Sequence, residues 1–270
     1  MTTELWRFLD SGFLPGAHNM AVDEALLEAY LAGETPPTLR VYGWRPPAVS
    51  VGRFQRVDAS LDLEACRRLG VDVVRRPTGG RAILHTADEV TFSIVVPAAR
   101  LGATGVMDAY RALAAGIIAA LRSLGLDPRL VERGAPAGPA SVGPAPVGPA
   151  PALDPACFAV KARCDLVVGS AKVVGSAQVQ RRGALLQQNS LPLRLRPADW
   201  EPIFRRAARP PDAAGLCDLA GRPIGCGEVA AALRDGFAAA FGIRFADAPL
   251  AERELSRARD LAPRAAVLSG

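Results

Sequence analysis

The chain has 270 residues, half of them hydrophobic, and a formal net charge of +5 from 32 basic and 27 acidic side chains. That length suits one large domain, and the apolar content is ample for a buried core, which excludes a disordered protein. The basic balance tolerates an acidic partner without demanding nucleic acid, and aromatics at 6% are too sparse for a single-strand-binding platform.

"ELWRFLD" reads as a first strand. "NMAVDEALLEAYLAG" follows as an amphipathic helix, with Met20, Ala21, Ala25, Leu26 and Ala29 on one face and Asp23, Glu24 and Glu28 on another. "PTLRVYGW" and "PAVSVG" are short strands broken by Pro46 and Pro47. "ASLDLEACRRLG" is a helix closed by Gly70. Then come the strand "VDVVRR", a turn at Pro77-Thr78-Gly79-Gly80, and the strands "AILHT" and "VTFSIVV". "VMDAYRALAAGIIAALRSLGL" is a long, largely apolar helix. Residues 134–152, "GAPAGPASVGPAPVGPAPA", hold almost only Gly, Ala, Pro, Val and Ser; this composition predicts a mobile or polyproline-like surface loop within one domain. "CDLVV", Gly169-Ser170 and "AKVVGSAQ" form a hairpin candidate with a two-residue turn. "GALLQQNSLPL" is a further strand, and the remainder is mainly helical, with "GEVAAALRDGFAAAFG" its clearest piece. Helices and strands mix without regular βαβ alternation. The expected class is α+β: a single domain over 1–270 with a mixed, largely antiparallel sheet flanked by helices.

Five cysteines at 66, 157, 164, 217 and 226 are odd in number and irregularly spaced, so they do not read as a disulfide framework. No CxxC pair exists, and only His18 and His85 could join a metal site, so none is expected. The start "MTTELWRFLD" places Glu4 and Asp10 where a signal peptide needs its basic and apolar regions. No apolar run approaches the roughly 20 residues of a membrane span. A reduced, soluble, cytoplasmic protein follows as the expectation.

Thirty of the 32 basic residues are arginine; the two lysines are Lys161 and Lys172. Arginine stays charged, whereas lysine supplies a compact, titratable amine, so Lys172 in the strand after the Gly-Ser turn is a candidate for chemistry. Its bland alternative is chance survival on a solvated strand, and Lys161, in the polar "KAR", reads as a surface residue. Cys157 falls between the loop and the hairpin, where a thiol can sit exposed and a nearby cation raises its thiolate fraction. The competing reading is a small buried hydrophobe, which suits Cys164 and Cys66 better. "RRPTGGRAILH" offers Arg76, the Thr78 hydroxyl and a flexible Gly79-Gly80 turn against which an acyl or phosphate group can lie. It has neither the P-loop nor the dinucleotide glycine pattern. Gly175, Ser176, Ala177 and Gln178 form a small-residue strand that permits close ligand approach or simply tight packing. His85 could serve as a base, although a lone histidine ending an apolar strand is more often structural, and His18 precedes a helix N-terminus.

"RRPTGGRAILH", "KVVGSAQ", "RRGALLQ" and the N-terminal "WRFLDSG", "NMAVDEALL" and "PTLRVYGWRPPAVSVGRFQ" together resemble the lipoate–protein ligase, octanoyltransferase and biotin ligase superfamily, most closely its LipM-type octanoyltransferases. The resemblance runs from Trp6 to Pro192 and implies an α+β catalytic domain. LipM-type enzymes carry a nucleophile in a "CF" dipeptide and a lysine in the "GSAQ" strand, which match Cys157-Phe158 and Lys172. It implies a thioester of octanoate on Cys157, drawn from octanoyl-acyl carrier protein and passed to a lysine of a lipoyl domain such as that of the glycine cleavage H protein. Lys172 is implied as the partner of the thiolate. Arg76, Thr78, Gly79, Gly80, His85, Gly175, Ser176, Ala177 and Gln178 are implied as substrate contacts, with no cofactor. The sequence departs from the family's "HD" at His85-Thr86 and from its "LQHGS" at residues 186–190, where Gln188 and Asn189 replace histidine and glycine. Two rival readings are an ATP-dependent lipoate–protein ligase and a non-catalytic lipoyl-cargo binder. Against the first stand Arg81 in the glycine turn and a chain that ends before an accessory domain; against the second stands the pairing of Cys157 with Lys172.

Overall fold

"VTFSIVV" sets the plan of the molecule, because its alternation gives the strand two different faces. Val90, Phe92, Ile94 and Val96 enter one apolar core, while Thr91 and Ser93 point the other way with Val95. The computed structural model describes residues 3–57, 61–131, 164–204 and 213–268. The low-complexity stretch 134–152, Cys157 and Lys161 lie outside the described residues.

The first half of the chain runs β1 (Leu5–Leu14), α1 (Gly16–Leu31), β2 (Thr38–Trp44), β3 (Ala48–Val51), α2 (Leu63–Arg68), β4 (Asp72–Arg75), β5 (Ile83–His85) and β6 (Glu89–Pro97). Then follow α3 (Val106–Ser123), β7 (Pro128–Leu130), β8 (Leu166–Val168), β9 (Ala171–Lys172), β10 (Gly175–Arg181) and β11 (Ala184–Pro192). The C-terminal part comprises α4 (Pro197–Trp200), α5 (Leu216–Ala220), α6 (Cys226–Phe241), β12 (Arg244–Asp247), α7 (Glu252–Ala265) and β13 (Ala266–Leu268).

Among the described residues these strands form a six-stranded sheet, β10-β11-β6-β2-β1-β12, a four-stranded sheet, β13-β4-β3-β5, and a three-stranded sheet, β7-β8-β9. The β1–β12, β1–β2 and β3–β4 pairings are parallel and the others antiparallel, so the sheet is mixed and largely antiparallel as expected. The Gly169-Ser170 turn does join β8 to β9. "AKVVGSAQ", however, is not one strand: Val173 and Val174 break it, leaving β9 in the small sheet and β10 at the edge of the large one. His18 lies inside α1 rather than before it.

α3 and α6 cover one face of the large sheet. They approach closely because both contribute glycine: a Cβ on Gly116 would stand 2.7 Å from the Phe237 ring, and one on Gly236 2.6 Å from the Gly116 carbonyl. α1 and α7 cover the opposite face, where Ala21, Ala25 and Leu26 pack with Ala258 and Ala262. Each fully buried Leu or Ile in these cores contributes about 1.5–3 kcal/mol relative to exposure. Arg7 on β1 ties α7 down through a buried pair with Glu254, at 2.9 and 2.7 Å. Asp23 was expected on α1's polar face and is instead fully buried. Its partner, Arg40, arrives from β2, a pairing that helical periodicity cannot show. Met20 from α1 packs with Tyr42, Trp44, Ala48 and Val74, so the helix wedges the two larger sheets apart.

Candidate active site

That wedge leaves a cleft between the sheets, open to solvent, with about 270 Å³ of empty space when its mouth is counted. Met20, Tyr42, Trp44 and Ile83 give it apolar walls, and Gly175 and Ala177 keep one side low. Ser50, Arg76, His85, Thr91 and Gln188 also border it. These polar side chains are committed to one another. Gln188 donates from Nε2 to Asp23 (2.6 Å) and accepts at Oε1 from the Thr78 hydroxyl (2.8 Å). Asp23 also accepts from Arg40 (2.7 Å), Tyr42 (2.8 Å) and Ser93 (2.6 Å). Burial first, and then the Asp23 charge, push the Tyr42 phenol well above its usual range, which fixes it as a donor.

His85 stacks on Trp44 with ring centroids 4.0 Å apart. Its Nδ1 lies 2.6 Å from Glu89 and its Nε2 2.7 Å from the Ser50 hydroxyl. Arg76 Nη1 donates to the same hydroxyl (3.1 Å), so Ser50 links His85 to Arg76. Glu89 accepts further from Thr91 and Ser190, and Trp44 Nε1 donates to Thr91 at 2.8 Å. The remaining Arg76 donors grip the carbonyls of Ser50, Gly79 and Arg81, each with a contact at 2.7 Å. Arg76 therefore shapes the glycine turn from below. With these polar groups bonded within the protein, the cleft offers an incoming ligand mainly apolar surface.

The structure thus brings Arg76, His85, Gly175 and Ala177 to one cleft, with Thr78 joined through Gln188 and Gly79 through Arg76. Exposed Gly80 lies over Ala177. Ser176 and Gln178 alternate away to the other face of β10, where Ser176 meets Asn189 (2.8 Å) and Gln178 meets the Val106 carbonyl at the start of α3 (2.7 Å). Both residues of the Gln188-Asn189 departure border the cleft. Gln188 joins its network, and Asn189 accepts at Oδ1 from Ser176 and Gln187 while its buried Nδ2 has no partner among the described residues.

Lys172 is buried, and its Nζ lies 2.8 Å from Asp165 Oδ2. Val173 and Val174 carry the chain from it to Gly175 in the cleft wall. The "solvated strand" alternative for Lys172 therefore does not hold. Cys66 is fully buried, and burial, followed by the Asp62 charge, raises its thiol above the ordinary range. Burial likewise raises Cys226. Cys164 is half-buried at φ 66°, with Sγ 3.9 Å from the Met107 carbonyl. Among the described residues no cluster of His, Cys, Asp and Glu is arranged to hold a metal ion, and no helix is long and apolar enough to cross a membrane.

Asp23, Arg40, Tyr42, Trp44, Ser50, Glu89 and Thr91 complete the site and were not singled out in the sequence. One signal was available. Arg40 sits in a strand whose neighbours are all buried, and a buried arginine requires a carboxylate from elsewhere in the chain.

The sequence profile of the lipoyl protein ligase A/B catalytic domain matches residues 15–238. An octanoyltransferase LipM of Kyrpidia tusciae is 39% identical, the match covering 96% of this chain and 95% of the relative. An octanoyltransferase LipM of Symbiobacterium thermophilum is 38% identical, over 95% of this chain and 93% of the relative. Among solved structures, a bipartite lipoate protein ligase of Thermoplasma acidophilum, studied with its E2 lipoyl domain, superposes with a TM-score of 0.75. That match has 23% identity and covers 97% of this chain and 93% of the other; it shows a shared fold.

Proposed function

The chain belongs to the lipoyl protein ligase A/B catalytic family and is an octanoyltransferase of lipoate biosynthesis; we propose that it works in two steps through a thioester on Cys157. In the first step the Cys157 thiolate attacks the thioester carbonyl of octanoyl-acyl carrier protein. A new C–S bond forms, and the carrier's thiolate leaves and takes up a proton. In the second step the neutral amine of a lipoyl-domain lysine attacks the acyl-enzyme; the amide C–N bond forms as the C–S bond breaks, and the Cys157 sulfur departs with the proton that the amine gives up. The acceptor is a lipoyl domain, and we assign it to the glycine cleavage H protein. Lys172 supplies positive charge for the thiolate and for the carbonyl oxygen as it becomes anionic.

One observation carries this reading: Ser50, Arg76, His85, Thr91 and Gln188 spend their polar atoms within the protein, which leaves Met20, Tyr42, Trp44, Ile83 and Ala177 as apolar contact surface, with Asn189 Nδ2 the buried lining donor left unpaired among the described residues. An alkyl chain suits such walls. Burying about six methylenes at ~0.8 kcal/mol each gives roughly 5 kcal/mol to hold an octanoyl chain.

The test is intact-mass analysis after mixing with octanoyl-acyl carrier protein in the absence of ATP. A single octanoyl adduct is expected, mapping to Cys157 and missing from Cys157→Ala. An adduct on Cys164, or lipoyl-domain modification from free octanoate that requires ATP, would overturn the mechanism.

A further inference from the structure

Residues 52–57, between β3 and α2, hold the most exposed large apolar side chain among those described: Phe54, 85% exposed. A single surface phenylalanine is ordinary. A phenylalanine on a braced loop packed against the glycine turn beside the cleft is less so. Arg75 reaches under the loop and donates to the carbonyls of Gly52 (2.8 Å), Arg53 (3.1 Å) and Gln55 (3.0 Å). The Arg53 N–H donates to the Thr78 carbonyl at 2.9 Å, and the Gln55 N–H to the Gly52 carbonyl at 3.0 Å. Gly52 is pressed against the glycine turn so closely that a Cβ there would collide with the Gly80 carbonyl. The loop is thus locked to the turn that overlies Ala177 in the cleft wall. Its flanks are cationic: Arg53 and Arg56 are exposed, and the Arg53 guanidinium lies 5.5 Å from the centre of the Phe54 ring.

We propose that Phe54 and Arg53 form the docking anchor for the acyl donor, an acidic carrier protein that presents its thioester on a phosphodiester-linked arm. A loop whose backbone is braced before binding loses little entropy on contact, and aromatic residues with arginine are the side chains that carry interface energy. Charge complementarity selects an acidic partner for a chain of net charge +5. The planar, many-donor guanidinium suits the arm's phosphate, a group that an acceptor lysine lacks, and this favours the donor over the lipoyl domain. The proposal rests on the thioester reading above, and its test separates the two.

Single-turnover acylation of Cys157 is measured with octanoyl-acyl carrier protein and with the small thioester octanoyl-N-acetylcysteamine, in wild type, Phe54→Ala and Arg53→Glu. Carrier-dependent acylation should fall about tenfold or more in each variant, with a weaker salt dependence for Arg53→Glu. Acylation by the small thioester and transfer to the lipoyl domain should stay at wild-type rates. Equal loss with both donors would overturn the proposal, because the loop would then be shaping the cleft. Loss confined to the lipoyl-domain step would overturn it in favour of the acceptor. Calorimetric titration of the carrier protein reads docking without any acyl chemistry. Weaker binding to Phe54→Ala supports the proposal and unchanged binding refutes it, even if no wild-type thioester forms and the Cys157 reading falls.

Discussion

Replacing Asp165 with asparagine removes a carboxylate from beside Lys172 while nearly preserving shape. The two side chains are 12% and 3% exposed, with Nζ and Oδ2 2.8 Å apart. An exposed pair of this kind would contribute about 0–1 kcal/mol. Breaking a buried pair costs about 3–5 kcal/mol, because the surviving charge keeps its desolvation cost without its partner. Since Asp165 retains some contact with solvent, the lower end applies, about 3 kcal/mol. Unfolding entropy near 2.1 cal/mol/K per residue makes 1 kcal/mol worth roughly 2 °C in a chain of this size, so Tm should fall by about 5 °C. Scanning calorimetry reads this directly, and urea unfolding with an unchanged slope confirms that the native state is the one affected. The double variant Lys172→Met/Asp165→Leu removes both charges and should recover most of the loss. An Asp165→Asn protein that melts within about 1 °C of wild type would refute the reasoning. So would a double variant less stable than the single one.

Gln188→Leu keeps the volume but strands the Thr78 hydroxyl and deletes one donor to Asp23; at 1–3 kcal/mol per buried unpaired group it should cost about 3 kcal/mol in urea unfolding. Gly52→Ala drives a Cβ into the Gly80 carbonyl, a main-chain atom that cannot rotate away, so a loss of about 2–3 kcal/mol is expected in the same assay. Cys66, with its thiol pushed up by burial, carries less thiolate than a free cysteine at any given pH. In the native protein at pH 8 its alkylation by iodoacetamide, followed by peptide mapping, should be at least about tenfold slower than that of free cysteine and become fast only on unfolding.

Much of this fold could be read from period alone. "VTFSIVV" and "TLRVYGW" carry apolar runs long enough to declare strands, and the faces of α3 and α6 repeat clearly. β12 and β13 could not be read this way, because strands of four and three residues without full burial take their identity from their neighbours. β12 exists because Leu5–Phe8 offers it a parallel ladder, and β13 because β4 has an open edge. The site divides along the same line. Arg76, His85, Gly175 and Ala177 lie in short motifs whose local order places them at one cleft. Asp23 and Arg40 are polar residues whose partners are distant in sequence, and the β2–β6–β11 register brings Arg40, Ser93 and Gln188 together around Asp23; Glu89 adds distant Ser190 to its near neighbours His85 and Thr91. Cys157 was singled out by its place between loop and hairpin, and its role by resemblance to other chains.

In a chain so biased to arginine, the buried arginines and Lys172 are set to different uses. Each deeply buried arginine acts as a strut. Arg7 joins β1 to Thr38 and to Glu254. Arg40 reaches Ser11, both the carbonyl and the side chain of Asn19, and Asp23. Arg76 holds Ser50, Gly79 and Arg81 in one fan. A planar fork with five donors suits that task, because it fixes several acceptors at set angles, and by the same token its donors are spent on the protein. Stabilising charge that develops on a reacting carbonyl is a different task. It calls for a compact cation on a stem that can adjust, beside a cleft wall low enough for substrate to approach. Lys172 ends a two-residue strand, is steadied by Asp165, and stands three positions before Gly175 in that wall. Arginine builds the cleft, and Lys172 brings a compact ammonium, held by Asp165, to the start of the segment that leads into the cleft wall.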